Sequence, residues 1–187
     1  MKRDIFSITE PERLAVPVTR RDHTQGPADA TLTLLEYGDF ECPVCGMAYP
    51  VIKTLQHNLR HRLRFVFRHF PLTNVHPHAE HAAEAAEAAG ARGAFWKMHD
   101  LLFENQDDLE DEDLLEYAAA LGLDTAVMLA EIEAGAYARR IREDFMSGVR
   151  SGVNGTPTFF INGMRYDGSF DVDSLLAGLE EASELET

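Results

Sequence analysis

The 187-residue chain is short of positive charge: 17 Lys and Arg stand against 32 Asp and Glu, a formal net charge of −15 with histidine neutral. A surface of that sign repels phosphates, so binding of nucleic acid or anionic membranes, which needs clustered cations, is not expected. Long apolar runs are missing as well. No window approaches the roughly 20 apolar residues of a spanning helix, and the longest early stretch, Leu14 to Val18, is interrupted by Pro17. Membrane insertion is therefore not expected. The first residues, MKRDIFSITEPERLAVPV, carry early charges but no apolar core before a small-residue cleavage site, so no signal peptide is read there. The expected location is cytoplasmic, or periplasmic or extracellular if the chain is a mature form. Cysteine is scarcer still, with Cys42 and Cys45 only, and that excludes a disulfide framework. With 45% apolar residues, the chain can bury a core without such staples, at a length that suits one domain with an inserted subdomain.

Residues 1–30 are polar and punctuated by Pro11, Pro17, Gly26 and Pro27, which predicts a loosely held N-terminal arm with Leu14 to Val18 as a short edge strand. From Thr31 to Tyr37 the pattern alternates, so Leu32, Leu34 and Glu36 share one strand face while Leu35 and Tyr37 share the other. A carboxylate thus falls in line with core leucines. After GDFE and CPVC, the residues Val51, Ile52, Leu55 and Leu59 recur at helical spacing, and Leu63 to Phe70 reads as a second strand. This is a β-α-β unit with parallel strands.

Residues 76–151 read as an all-helical insertion: His76 to Ala89, Ala94 to Asn105, Asp111 to Leu121, Asp124 to Ala134 and Tyr137 to Gly148, with Gly90, Gly93, Gly122 and Gly135 as helix ends. Tyr137, Ile141, Phe145 and Val149 form a stripe suited to packing. The pattern then returns to strand in TPTFFI, an Asn162-Gly163 hairpin turn and MRYDG, followed by a last helix capped by Asp171. The organisation is an arm (1–30), an α/β core (31–75 and 152–182), the insertion (76–151) and a tail (183–187).

A C-x-x-C pair serves as half a zinc site or as a redox pair. Zinc needs four ligands as a rule, and no second C-x-x-C exists. Placement at a strand-to-helix junction favours redox use, because free N–H groups and partial positive charge at a helix start stabilise a thiolate at Cys42. Cys42 is then the nucleophile and Cys45, one turn on, the resolving thiol. No metal and no organic cofactor is expected. His76, His78 and His81 make an incomplete metal set and read as a surface helix start. Trp96, Met98 and His99 read as helix packing, with His99 a polar edge group.

Three segments in order, EYGDFECPVC, GAFWKMHDLLFENQ and GVNGTPTFFINGMRYDG, make residues from about Gly26 to Leu179 resemble the thioredoxin superfamily, and within it the DsbA-like branch with a helical insertion. The resemblance implies a thioredoxin fold, β-α-β then β-β-α, and thiol-disulfide oxidoreductase activity. It implies a cis Pro157, with the Thr156 backbone facing the cysteines and pairing with substrate. Glu36 becomes a buried proton carrier for Cys45. Many relatives that oxidise strongly have His where this chain has Val44. Asp39 and Glu41 stand nearby, and negative neighbours should make Cys42 less acidic than in those oxidants, so the expected couple is intermediate or reducing.

The expected partners are protein or small-molecule thiols and disulfides and a redox partner, with the chain a monomer. Two rivals are a redox-silent holdase whose cysteines are dispensable and a glutathione-dependent enzyme of the kappa-class type. The intact CPVC argues against the second, since that class carries a serine-type site.

Overall fold

The computed structural model describes residues 13–184. Five strands form one sheet: β1 (His23–Gln25), β2 (Leu32–Gly38), β3 (Leu63–His69), β4 (Thr158–Ile161) and β5 (Met164–Tyr166), in the order β1-β3-β2-β4-β5. The pair β2 and β3 is parallel, and the other neighbours are antiparallel. α1 (Pro43–Leu59) connects β2 to β3 through a short turn at Arg60–Arg62. Between β3 and β4 lie α2 (Ala79–Gly90), α3 (Phe95–Glu104), α4 (Asp111–Ala120), α5 (Thr125–Glu133) and α6 (Ala138–Arg150), and α7 (Val172–Glu184) follows β5. This is the thioredoxin fold with a helical insertion.

All seven residues of β2 are buried because both faces of the sheet are covered. Leu32 and Leu34 join Ile52, Leu55 and Leu59 of α1 and Leu175 and Leu179 of α7 in the larger core, which continues into the insertion. Leu35 and Tyr37 face the smaller core with Val66, Phe70 and Phe160, closed by Phe145 of α6, whose ring stacks on Phe70 at 4.2 Å. The helical stripe of α6 therefore packs through Ile141 and Phe145, while Val149 stays 46% exposed. In α2, six alanines from Ala82 to Ala89 are essentially inaccessible, so the small side chains let neighbouring helices approach closely.

Local signals account for most boundaries. The Asp171 carboxylate accepts from Ser174 N at 2.9 Å at the start of α7, and Asp124 caps α5 through Ala126 and Val127 N. Gly122 and Gly135 end their helices at φ +73° and +58°, which a side chain would resist. Gly90, in contrast, lies inside α2. That helix starts at Ala79 rather than His76, since a residue before proline is steered away from helical backbone.

The loosely held arm is corrected for its described part. β1 pairs with β3 inside it, and Arg68 ties the preceding segment down by bonding Asp22, the Val16 and Pro17 carbonyls and the Tyr37 hydroxyl. Leu14 to Val18 forms no strand. Arg13 makes a single bridge to Met164, Leu14 N donates to Gly163 O at 2.9 Å, and Pro17, without an N–H, ends the pairing. Residues 1–12 and 185–187 lie outside the described part. α7 runs through to Glu184, into the segment expected as tail.

Candidate active site

The chain leaves β2 at Gly38 and turns through Asp39, Phe40 and Glu41 to Cys42, which is the N-cap of α1 with extended backbone at φ −72°, ψ 118°. Pro43 follows at the first helical position, where a missing N–H is harmless and the ring presets φ. Cys42 keeps 5% of its surface accessible and Cys45 none, so Cys42 is the sulfur a second molecule can reach. Thr156 and Pro157 face it from the two positions just before β4. Their peptide bond is cis, and the Cys42 thiol donates to Thr156 O at 3.4 Å. The structure thus brings Cys42, Cys45, Glu36, Thr156 and Pro157 together at one end of the sheet.

The two thiols differ strongly. Cys42 is drawn down to about 5, first because the Cys45 thiol donates to its sulfur. Burial opposes this, and the Thr156 hydroxyl and the N–H groups of Cys45 and Val44 reinforce it. Cys45 is pushed well above the ordinary thiol range by burial, by its hydrogen bond to Cys42 and by the charges of Glu36 and Cys42. Glu36 lies between Phe67 of β3 and Phe159 of β4 in the sheet register, is 1% exposed, and has one carboxylate oxygen, Oε1, without a hydrogen-bond partner. Burial there, with the Cys42 charge added, raises it to about 8 against a hydrogen bond from Cys45 that pulls the other way. A carboxyl near 8 can take or give a proton at neutral pH.

The family described as Thioredoxin matches residues 18–181. This chain belongs to the thioredoxin family. Among curated proteins it is similar to the Na(+)/H(+) antiporter NhaA 1 of Salinispora arenicola, 49% identical over 170 residues, covering 90% of this chain and 26% of that protein. The chain thus spans about a quarter of that relative's length. Among solved structures, oxidised BdbD from Bacillus subtilis superposes with TM-score 0.83 at 20% identity over 93% of this chain and 97% of that one. Alpha-DsbA1 from Wolbachia pipientis does so with TM-score 0.77 at 18% identity, over 92% and 95%. These are DsbA-like folds, as the three sequence segments imply. No helix among the described residues is long and apolar enough to cross a membrane.

Within this thioredoxin-family site, Cys42 at about 5 stays less acidic than the roughly 3.5 of the strongest oxidants, as expected, and its acidic neighbours are bound to the loop after β3. The Asp39 carboxylate is buried and fully engaged: Oδ1 accepts from Glu41 N at 2.9 Å, and Oδ2 from Leu72 N and His76 Nδ1, each at 2.8 Å. Glu41 Oε2 accepts from His78 N at 2.7 Å. Both carboxylates are met by donors from the loop after β3. The sequence reading also missed Gln106, beyond α3. Its amide donates to Phe40 O at 2.7 Å and Cys42 O at 2.9 Å, so the insertion clamps the turn that carries Cys42. Gly46 leaves room for that amide, with which a Cβ would collide. The signal was present at the end of GAFWKMHDLLFENQ, where the family pattern supported the fold alone.

The three histidines at 76, 78 and 81 do not converge: His76 meets Asp39, and His81 Nδ1 meets Asp111 at 2.6 Å. His99 is corrected from an edge group to a buried one, ringed by Phe40, Phe67, Trp96 and Phe103, and burial lowers its pKa. Among the described residues, His23, His69 and Glu87 place ligand-type atoms within 4.8 Å of one another. Both imidazole Nε2 atoms lie on Glu87 Oε1, at 2.7 and 2.9 Å. Ligands of one tetrahedral zinc stand about 3.4 Å apart, and Arg140 approaches the same oxygen at 3.9 Å. The geometry is that of a hydrogen-bonded latch joining β1, β3 and α2.

Proposed function

We propose that this chain is a thiol-disulfide oxidoreductase working through Cys42 and Cys45. The observation that carries the reading is the split between the thiols, one drawn down to about 5 and accessible, the other raised and buried beside Glu36. The Cys42 thiolate attacks one sulfur of a substrate disulfide, forming a mixed disulfide and expelling the other sulfur as thiolate. Glu36 then takes the Cys45 proton. The Cys45 thiolate attacks the Cys42 sulfur, which closes the intramolecular disulfide and releases the second substrate sulfur, so two electrons pass to the substrate. The reverse sequence oxidises a dithiol. Thr156 supports the first step by offering backbone beside Cys42 to an extended substrate segment.

The acidity of Cys42 bears on the potential. A nucleophile at about 5, in place of the thioredoxin-type value of about 7, favours the reduced form at pH 7 by about 2 kcal/mol, or about 50 mV, placing the couple at about −220 mV. That value lies between reductase and strong oxidant. It suits exchange with glutathione-poised partners, reducing in a cytoplasmic setting and oxidising in an exported one. The partners proposed are protein or small-molecule disulfides and a thiol donor, with the chain acting as a monomer. Ion transport is not carried over from the antiporter relatives, of which the chain spans about a quarter.

The test is equilibration in graded glutathione buffers, with thiol trapping and mass spectrometry. A two-electron transition between Cys42 and Cys45 at about −220 mV is expected. Failure to form the disulfide in any buffer, together with aggregation suppression that survives replacement of both cysteines by serine, would favour a holdase instead.

A further inference from the structure

The loop between β3 and α2 is fastened to the nucleophile's turn by two carboxylates. Asp39 holds Leu72 N and the His76 ring, and Glu41 holds His78 N. The same Asp39 contributes its carbonyl to Cys42 N at 3.2 Å, so one residue bonds both the cysteine backbone and the histidine side chain. The imidazole is mostly buried, with 17% of its side chain accessible, and negative charge at Cys42 favours its protonated form. Neither residue between the cysteines, Pro43 or Val44, can carry a charge.

We propose that His76 is a positioning residue for Cys42: clamped by Asp39 against the turn between β2 and α1, its imidazolium adds a cation to the hydrogen bonds that favour the ionised sulfur. The groups acting most on the ring are Asp39, Glu41 and Cys42, all from that turn. Burial disfavours the charged ring, and the Asp39 hydrogen bond and the three negative charges outweigh it, raising the histidine above its ordinary value. Asp39 and His76 then form a pair of nearly zero net charge, which keeps a buried carboxylate three residues from the nucleophile from opposing its ionisation. The inference rests on the exchange reading and adds a regulator of the same sulfur.

The experiment measures the thiolate midpoint of Cys42 from ultraviolet absorbance of the reduced protein against pH, with folding checked by circular dichroism. His76→Gln keeps an amide for Asp39 but no charge. It is expected to raise the midpoint by about one unit, the low end of the effect of an opposite charge at close range. That is a tenfold loss of thiolate at pH values below the midpoint. His76→Lys, which restores a cation, is expected to recover part of the shift. A folded His76→Gln with an unchanged midpoint overturns the proposal, leaving His76 as a latch. Should the variants not fold, the wild type decides: linkage requires the His76 midpoint, read by NMR, to be higher with Cys42 ionised than in the intramolecular disulfide. Equal midpoints overturn the proposal. Disulfide formation by the wild type is tested separately, so loss of the exchange reading would be seen as such.

Discussion

Replacing Glu36 with glutamine separates the energetic cost of the buried carboxyl from its chemical use. In the folded chain the group sits at about 8, because burial between Phe67 and Phe159, followed by the Cys42 charge, disfavours the carboxylate. In the unfolded chain it returns to about 4.3. Between those values the folded state holds a proton that the unfolded state has lost, so wild-type stability falls as pH rises. The penalty is absent below pH 4, reaches about 3 kcal/mol by pH 7 and levels off above pH 8. Glutamine does not titrate. The difference in unfolding free energy between Glu36→Gln and wild type should therefore grow in favour of the variant by about 3 kcal/mol from pH 4 to pH 7. Urea titrations at several pH values measure it, and the Cys42 ionisation common to both proteins largely cancels. A constant cost or gain from the amide itself shifts the whole curve without changing its slope. A difference that is flat with pH would mean a solvated carboxyl and would refute the reasoning. In stopped-flow exchange with a disulfide substrate, the same variant should leave attack by Cys42 little changed and slow closure by Cys45 about 100-fold, the low end of general-base effects. Equal slowing of both steps would remove Glu36 from the proton path.

The reduced protein should react with iodoacetamide at Cys42 with a half-maximal rate near pH 5, where an ordinary thiol would show about 8.5; a profile centred near 8 would show that the helix start and Cys45 do not acidify it. Cys45→Ser should accumulate mixed disulfides with substrate, and Cys42→Ser should form none, as mass spectrometry of acid-quenched mixtures would show. Gln106→Leu removes both donors from the Phe40 and Cys42 carbonyls and should cost about 1 to 3 kcal/mol in urea unfolding, with a slower first exchange step. Arg68→Met leaves Asp22 buried without its guanidinium and should cost about 3 to 5 kcal/mol; a loss below 1 kcal/mol would mean that the segment before β1 is not tied down.

The sheet and its two faces were legible because β2 alternates cleanly and the Asn162-Gly163 turn has strong hairpin chemistry, realised with φ at +48° and +81°. The insertion was legible because alanine-rich periodicity, interrupted by glycine, has few alternatives to packed helices. β1 was not. His23, Thr24 and Gln25 have no apolar alternation and form a strand only because β3 offers an open edge and the His23 ring stacks on Phe95 at 3.4 Å. The described part of the arm is ordered for a similar reason: Arg68, read as one polar residue within a strand, meets partners from Val16 to Asp22 that local pattern cannot reveal. His99 was misplaced because a histidine at helical spacing gives no indication that seven aromatic side chains, from the turn before α1, α1, β3 and its own helix, will close over it.

Glu36 and Asp39 show why the electrostatics of the site needed three dimensions. They are three residues apart, and both are almost fully buried beside the same sulfurs. The sequence sets Glu36 in line with core leucines and counts Asp39, with Glu41, as a negative neighbour of Cys42, but shows neither carboxylate's partners. In the fold, Asp39 lies beyond the end of β2, where Leu72 N, His76 and Glu41 N fill its lone pairs with donors from a loop more than thirty residues away and from its own turn. Glu36 lies within the strand, where backbone donors are already spent on the sheet and the flanking partners are phenylalanines. Its Oε1 is left without a hydrogen bond. A buried carboxylate denied donors favours its proton, as the raised value at Glu36 reflects. The contrast follows from strand against turn: the turn carboxylate orients a histidine, and the strand carboxylate, raised to about 8, is the one that fits the proton transfer proposed for Cys45.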